Sequence, residues 1–199
     1  MRALRAGAGS PQAGICLQMP AFEPARADDP GCVALCAELQ HAMIDVYLDG
    51  LAGDFVGVQY YTRERIDPAA PGHDAKPPPD APVTLMGWEL FPEGLHRAIV
   101  SAAASGLPVI VTENGIATAD DEQRIAYLRD HLGQVKRALA DGVDVRGYMC
   151  WSSFDNFEWN EGYRPTFGLV GIDREDGLRR VARPSAEWYG QLARTGRLA

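Results

Sequence analysis

The 199-residue sequence contains no run of about 18 apolar residues, so nothing in it reads as a membrane-spanning helix. It also lacks a basic excess. Nineteen Lys and Arg face 27 Asp and Glu, a formal charge of -8, which argues against nucleic acid or an anionic membrane as partner because both reward a basic face. Cysteine is scarce: Cys16, Cys32, Cys36 and Cys150 show no C-x-x-C spacing, which leaves neither a zinc site nor a disulfide framework to build on. Cys32 and Cys36 would share a helix face, but the four read as buried small hydrophobes, and neither a metal nor a cofactor is expected. Met1 to Gln12 carries Arg2 and Arg5 without the apolar core and cleavage site of a signal peptide, so the expected location is cytoplasmic. What remains is 46% apolar and 23% charged, the composition of one ordinary globular domain.

Residues 1–13 are small, Gly- and Ala-rich and aperiodic, and are expected to form a poorly ordered lead-in to a domain over residues 14–199. Gly14 to Gln18 reads as a buried strand. Asp29 and Pro30 open a helix with Leu35, Leu39, Ala42, Met43 and Val46 at helical spacing. Asp54 to Tyr61 is a second strand, and the Pro-rich stretch from Asp67 to Pro82 a long loop. Pro92 starts a helix with Leu95, Ile99 and Val100 on one face, ending near Gly106, before a strand from Leu107 to Thr112. The clearest helix spans Asp121 to Ala140 with Ile125, Leu128, Leu132, Val135 and Leu139 as its stripe. Val145 to Cys150 is the fourth strand, and Pro184 opens the last helix. The order β-α-β-α-β-α-β-α predicts an α/β fold of four parallel units, half of an eightfold barrel.

Three segments carry chemistry. Thr112-Glu113-Asn114-Gly115 follows a strand directly, and in such barrels catalytic groups gather at the C-terminal strand ends. Alone, the motif is a weak sign of catalysis, since a Glu before Asn-Gly reads more readily as a strand ending at a turn. Gln59 and Tyr61 share a strand face by alternation, from which a phenol can hydrogen-bond and orient Glu113; aromatic pairs also serve packing in barrel strands. Trp151 to Trp159 places two tryptophans, an Asp and a Glu in a loop, suiting a sugar platform: indoles stack on pyranose C–H faces while Glu158 accepts from adjacent hydroxyls. An exposed aromatic cluster of this kind can instead be a protein interface.

Taken with Gly87-Trp-Glu-Leu-Phe-Pro-Glu-Gly-Leu95, Gly162-Tyr163 and Phe167-Gly-Leu-Val170, these segments resemble glycoside hydrolase family 1, the β-glucosidase and β-galactosidase family, from about Gly14 to Leu192. The resemblance implies the C-terminal half of a (β/α)8 TIM barrel and hydrolysis of a β-glucoside or related oligosaccharide. It implies Glu113 as nucleophile and Tyr61 as its hydrogen-bond partner. Glu158 and Trp159 would bind the nonreducing sugar, Trp151 would floor its subsite and Phe167 would line it. Gln59, counted with the sugar-binding residues, stands where the family usually has Asn, an amide kept but lengthened by a methylene, and Thr166 stands where Arg often precedes Phe-Gly.

The family's acid/base segment, T-x-N-E-P, does not occur in these residues. Phe22-Glu23-Pro24 lacks the Asn and reads as an ordinary loop, and His41, His73, His96 and His131 receive no catalytic role. Four parallel strands cannot close a barrel, so their outer edges are expected to invite self-association or pairing with an N-terminal half. The alternative function is a catalytically inactive carbohydrate-binding or assembly fragment.

Overall fold

The computed structural model describes residues 11–198. In chain order its elements are β1 (Ile15–Gln18), β2 (Ala21–Pro24), α1 (Pro30–Gln40), β3 (Val56–Gln59), β4 (Arg63–Ile66), β5 (Asp74–Ala75), α2 (Glu93–Ala103), β6 (Val109–Asn114), α3 (Asp121–Ala140), β7 (Val145–Cys150), β8 (Val170–Asp173), β9 (Arg179–Ala182) and α4 (Pro184–Thr195). Most of the expected lead-in, residues 1–10, lies outside the described residues. Its last residue is tied down: Ala13 and Asp54 exchange two hydrogen bonds of 2.8 and 2.9 Å.

The four expected parallel strands form one sheet in the order β1-β3-β6-β7. Because strand order follows chain order, the crossover helices pack on one face. Val56 and Val58 of β3 and Val109 and Val111 of β6 are fully buried there against Leu95, Ile99 and Ala102 of α2 and Val135 and Ala138 of α3. By alternation, Ile110, Thr112 and Met149 turn to the other face with Cys16 and Gln18, and Cys16, Gln18 and Met149 are exposed. Cys16 is therefore not the buried hydrophobe expected of it. On this face a Cβ at Gly57 would stand 2.6 Å from the Cys16 Sγ.

Helix faces differ from expectation in ways the backbone explains. Asp29 caps α1, its Oδ1 accepting from the Cys32 amide at 3.0 Å, but a π-helical stretch, His41–Asp45, follows Gln40. The wider turn shifts the helical phase, so Ile44 and Leu48 turn inward while Met43 and Val46 are exposed. On α2, Leu95 and Ile99 are buried and Val100 is not. On α3 the buried face runs through Arg124, Tyr127, Leu128, His131, Val135 and Ala138, leaving Leu139 exposed. Two polar residues sit on that face because each meets backbone oxygen. Arg124 donates to the carbonyls of Ile116, Thr118, Thr166 and Phe167 at 2.7–3.1 Å and to Asp121 Oδ1 at 3.0 Å. His131 Nδ1 lies 2.8 Å from the Tyr127 carbonyl, and burial lowers its pKa to about 3, so it stays neutral and donates.

Phe22-Glu23-Pro24, expected as a loop, belongs to β2, which pairs in parallel with β4; β4 in turn pairs antiparallel with β5 inside the expected Pro-rich loop. Arg63, Glu64 and Arg65 hide β4 from an apolar-alternation reading. Their strand is held by charge: Arg63 and Arg65 converge on the Glu89 carboxylate, Arg65 Nε at 2.8 Å, and the Arg63 bond with its neighbour holds Glu89 down at a pKa of about 2. Glu23 pairs with Arg63 and Arg97. The β8-β9 hairpin was likewise not expected.

Two substitutions test this packing. A Cβ at Gly94 would lie 2.0 Å from the hydroxyl of the buried Tyr60, so Gly94→Ala should cost about 1–3 kcal/mol in a urea unfolding midpoint; an unchanged midpoint contradicts the contact. Arg124→Met takes a donor from four carbonyl oxygens, three of which keep a second one, and leaves Asp121 without its buried partner charge; it should cost about 2 kcal/mol or more by the same measurement, whereas a loss under about 0.5 kcal/mol would mean that the clamp is dispensable.

Candidate active site

The β3–β6 ladder runs Val56–Val109, Gly57–Ile110 and Val58–Val111, then shifts so that Gln59 stands opposite Glu113. That irregularity sets the ends of two strands against each other. Gln59 Nε2 donates to Glu113 Oε1 at 2.8 Å, and the Tyr61 hydroxyl donates to Glu113 Oε2 at 2.5 Å. Each carboxylate oxygen thus has its own donor. Burial first, then the bond to Glu113, raises the Tyr61 pKa well above the ordinary phenol range, so Tyr61 keeps its proton. β3 ends at Gln59, two residues before the expected end, yet the Tyr60 amide still donates to the Glu113 carbonyl at 3.0 Å. The Tyr60 side chain turns the other way and donates to the Phe91 carbonyl at 2.5 Å.

Asn114 secures this arrangement from behind. Fully buried, it donates through Nδ2 to the Tyr60 carbonyl at 2.7 Å and the Tyr127 hydroxyl at 3.0 Å, and its Oδ1 accepts from the Tyr148 hydroxyl at 2.7 Å. Three strands and α3 therefore meet at one amide. Gly115 must lack a side chain, since a Cβ there would fall 1.6 Å from the Trp151 carbonyl oxygen.

Gln18, Gln59, Tyr61, Trp88, Glu113, Trp151, Glu158, Trp159 and Phe167 line one cavity of about 430 Å³. All seven residues singled out from the sequence are in it. Trp88, Tyr61 and Phe167 form an aromatic wall with ring centroids 5.3–6.3 Å apart. Phe167 is buried, its carbonyl gripped by Arg124 at 3.0 Å, and Thr166 beside it donates to the Thr118 carbonyl at 2.8 Å. Glu158 Oε2 accepts from Asn156 Nδ2 at 2.6 Å, while Trp159 is 83% exposed. Gln18 and Trp88 were not singled out from the sequence. Gln18 could have been found as the last residue of a barrel strand, and Trp88 as the aromatic of the Gly87-Trp-Glu segment.

The remaining candidates lie elsewhere. Glu23 does not line the cavity. His96 pairs with Asp141 at 2.7 Å, His131 is the buried donor on α3, and His41 and His73 are exposed.

The model of glycosyl hydrolase family 1 matches residues 46–197. Beta-glucosidase A of Thermotoga maritima is 38% identical over 158 residues, which are 73% of this chain and 35% of that protein. A beta-galactosidase of Sulfolobus acidocaldarius is 41% identical over 155 residues, 71% of this chain and 31% of that protein. Among solved structures, the beta-glucosidase from Thermotoga maritima in complex with glucoimidazole superposes with a TM-score of 0.85 at 27% identity, covering 97% of this chain and 53% of that one. The chain thus spans about a third of the length of these curated relatives and about half of that solved chain, and its four-stranded parallel sheet is an incomplete (β/α)8 barrel. With the motif order, the fold and these matches in agreement, the chain belongs to glycosyl hydrolase family 1.

Proposed function

We propose that this chain carries the nucleophile side of a retaining β-glycosidase, acting on β-glucosides or closely related sugars. The observation that carries the reading is the Glu113 carboxylate, held between Gln59 and Tyr61 at the wall of an aromatic cavity. In this chemistry the carboxylate attacks the anomeric carbon as the leaving oxygen departs with the bonding pair, giving a glycosyl ester that water then hydrolyses. Trp151 and Trp159 offer faces for the sugar, Glu158 offers acceptors for its hydroxyls, and Phe167 shapes the same pocket. Tyr61 orients the nucleophile. The bound glucoimidazole of the Thermotoga relative supports a glucose-like ligand, while the beta-galactosidase relative keeps the sugar's identity open within that class.

The second reading, a carbohydrate-binding or assembly fragment without catalysis, is favoured by one observation: of the two carboxylates lining the cavity, Glu113 and Glu158, the second is given to the sugar hydroxyls, which leaves no carboxyl group among the lining residues to act as acid/base. A proton donor would come from a complementary half-barrel or a second copy. The outer edges of β1 and β7, unpaired among the described residues, and the exposed Val33, Met43, Val46 and Tyr47 of the first helical segment support such pairing. The four free cysteines accord with a reducing compartment, and a cytoplasmic location is part of the proposal.

A nitrophenyl β-glucoside separates the two readings, because its leaving group needs little acid assistance. The wild-type chain should release nitrophenol, Glu113→Gln should lower the rate by about a thousandfold or more, and Tyr61→Phe should lower kcat by about tenfold. A folded wild-type chain that binds the glucoside without releasing nitrophenol would sink the catalytic reading and leave the binding one.

A further inference from the structure

The family resemblance put Gln59 among the sugar-binding groups, at a position usually held by Asn. Its contacts in the structure assign its amide differently. Gln59 ends β3 where the ladder shifts, directly across from Glu113, and its Nε2 lies 2.8 Å from Glu113 Oε1. Asn at this position would end one methylene, about 1.5 Å, short of that oxygen. The longer side chain is what makes the contact.

The terminal torsion of a Glu side chain is broad, so a carboxylate held by one donor can still swing about it. Two donors, one per oxygen, fix its plane. Tyr61 supplies the first bond to Oε2 and Gln59 the second to Oε1. Each oxygen keeps a further lone pair, so the carboxylate can attack without giving up either bond. We propose that Gln59 is a positioning residue for the nucleophile, setting the plane of the Glu113 carboxylate rather than gripping the sugar; this rests on Glu113 being the nucleophile, as proposed above. Hydrogen bonds to a charged carboxylate are stronger than those to a neutral ester. When the Glu113–sugar bond forms and the bond to the leaving group breaks, the Gln59 bond weakens. It strengthens again as water displaces the sugar and the carboxylate is released.

Trapping by 2,4-dinitrophenyl 2-deoxy-2-fluoro-β-glucoside tests this in the full chain, because its limiting rate reports attack and its half-saturating concentration reports binding. Gln59→Met, which keeps the shape without the donor, and Gln59→Asn, which keeps the donor without the reach, should both lower the limiting rate about tenfold or more. Half-saturation should stay within about twofold of wild type. A Gln59→Asn chain that traps as fast as wild type, or variants whose half-saturation rises at an unchanged limiting rate, would overturn the proposal in favour of a sugar-binding amide. A merely structural role would lower the thermal midpoint and leave the limiting rate per folded molecule unchanged.

The contact has its own readout that needs no turnover. In a 15N-labelled chain, the Gln59 side-chain amide protons should move on Glu113→Ala, and unmoved resonances would refute the contact. A wild-type chain that takes no label refutes the nucleophile reading instead, while the amide resonances still decide whether Gln59 holds Glu113.

Discussion

The site depends on one registration, the shift that brings the end of β3 against the end of β6. Without it Gln59 and Glu113 would not face each other, and Tyr61, two residues on, would have no carboxylate to meet. Backbone alone does not hold the shift in place. Asn114 ties the Tyr60 carbonyl to the Tyr127 and Tyr148 hydroxyls, so β3, β6, β7 and α3 all register against one buried amide beside Glu113. The same α3 carries Arg124, whose carbonyl contacts seat Phe167 in the cavity wall. Position at the site is thus set by buried polar groups that are satisfied, which is the condition under which such groups specify a structure rather than weaken it.

A second constraint is the open sheet. Among the described residues nothing pairs with the outer edges of β1 and β7, and the face away from the helices exposes Cys16, Gln18 and Met149, positions that a closed barrel would cover. The cavity shares this openness: Trp159 on its rim is 83% exposed. The aromatic wall, the proposed nucleophile Glu113 and the Glu158 carboxylate come from this chain, whereas its curated relatives are about three times as long as the matched region.

Much of this was legible in the sequence. The four parallel strands were readable from apolar runs bounded by turns, and seven of the nine cavity-lining residues from motifs at strand ends and in the loop after β7, Phe167 through the family resemblance alone. What escaped had identifiable causes. β2 and β4 carry Glu23, Arg63, Glu64 and Arg65 and are held by ion pairs with Glu89 and Arg97, so no alternation announced them. The face of the first helix was misplaced because a π-helical stretch is invisible to a fixed period, and that of α3 because Arg124 and His131 are buried by carbonyl contacts rather than by hydrophobicity. Gln59 was counted with the sugar-binding residues, and it does line the cavity. Only the register shift showed that its amide reaches Glu113.

The central claim, that this sheet presents Glu113 as a nucleophile, is tested most directly by mass mapping after incubation with a 2-deoxy-2-fluoro aryl β-glucoside. The account predicts a single fluoroglycosyl adduct on the proteolytic peptide that contains Glu113, lost in Glu113→Gln. A folded chain that carries no adduct, or carries it on Glu158, would contradict it.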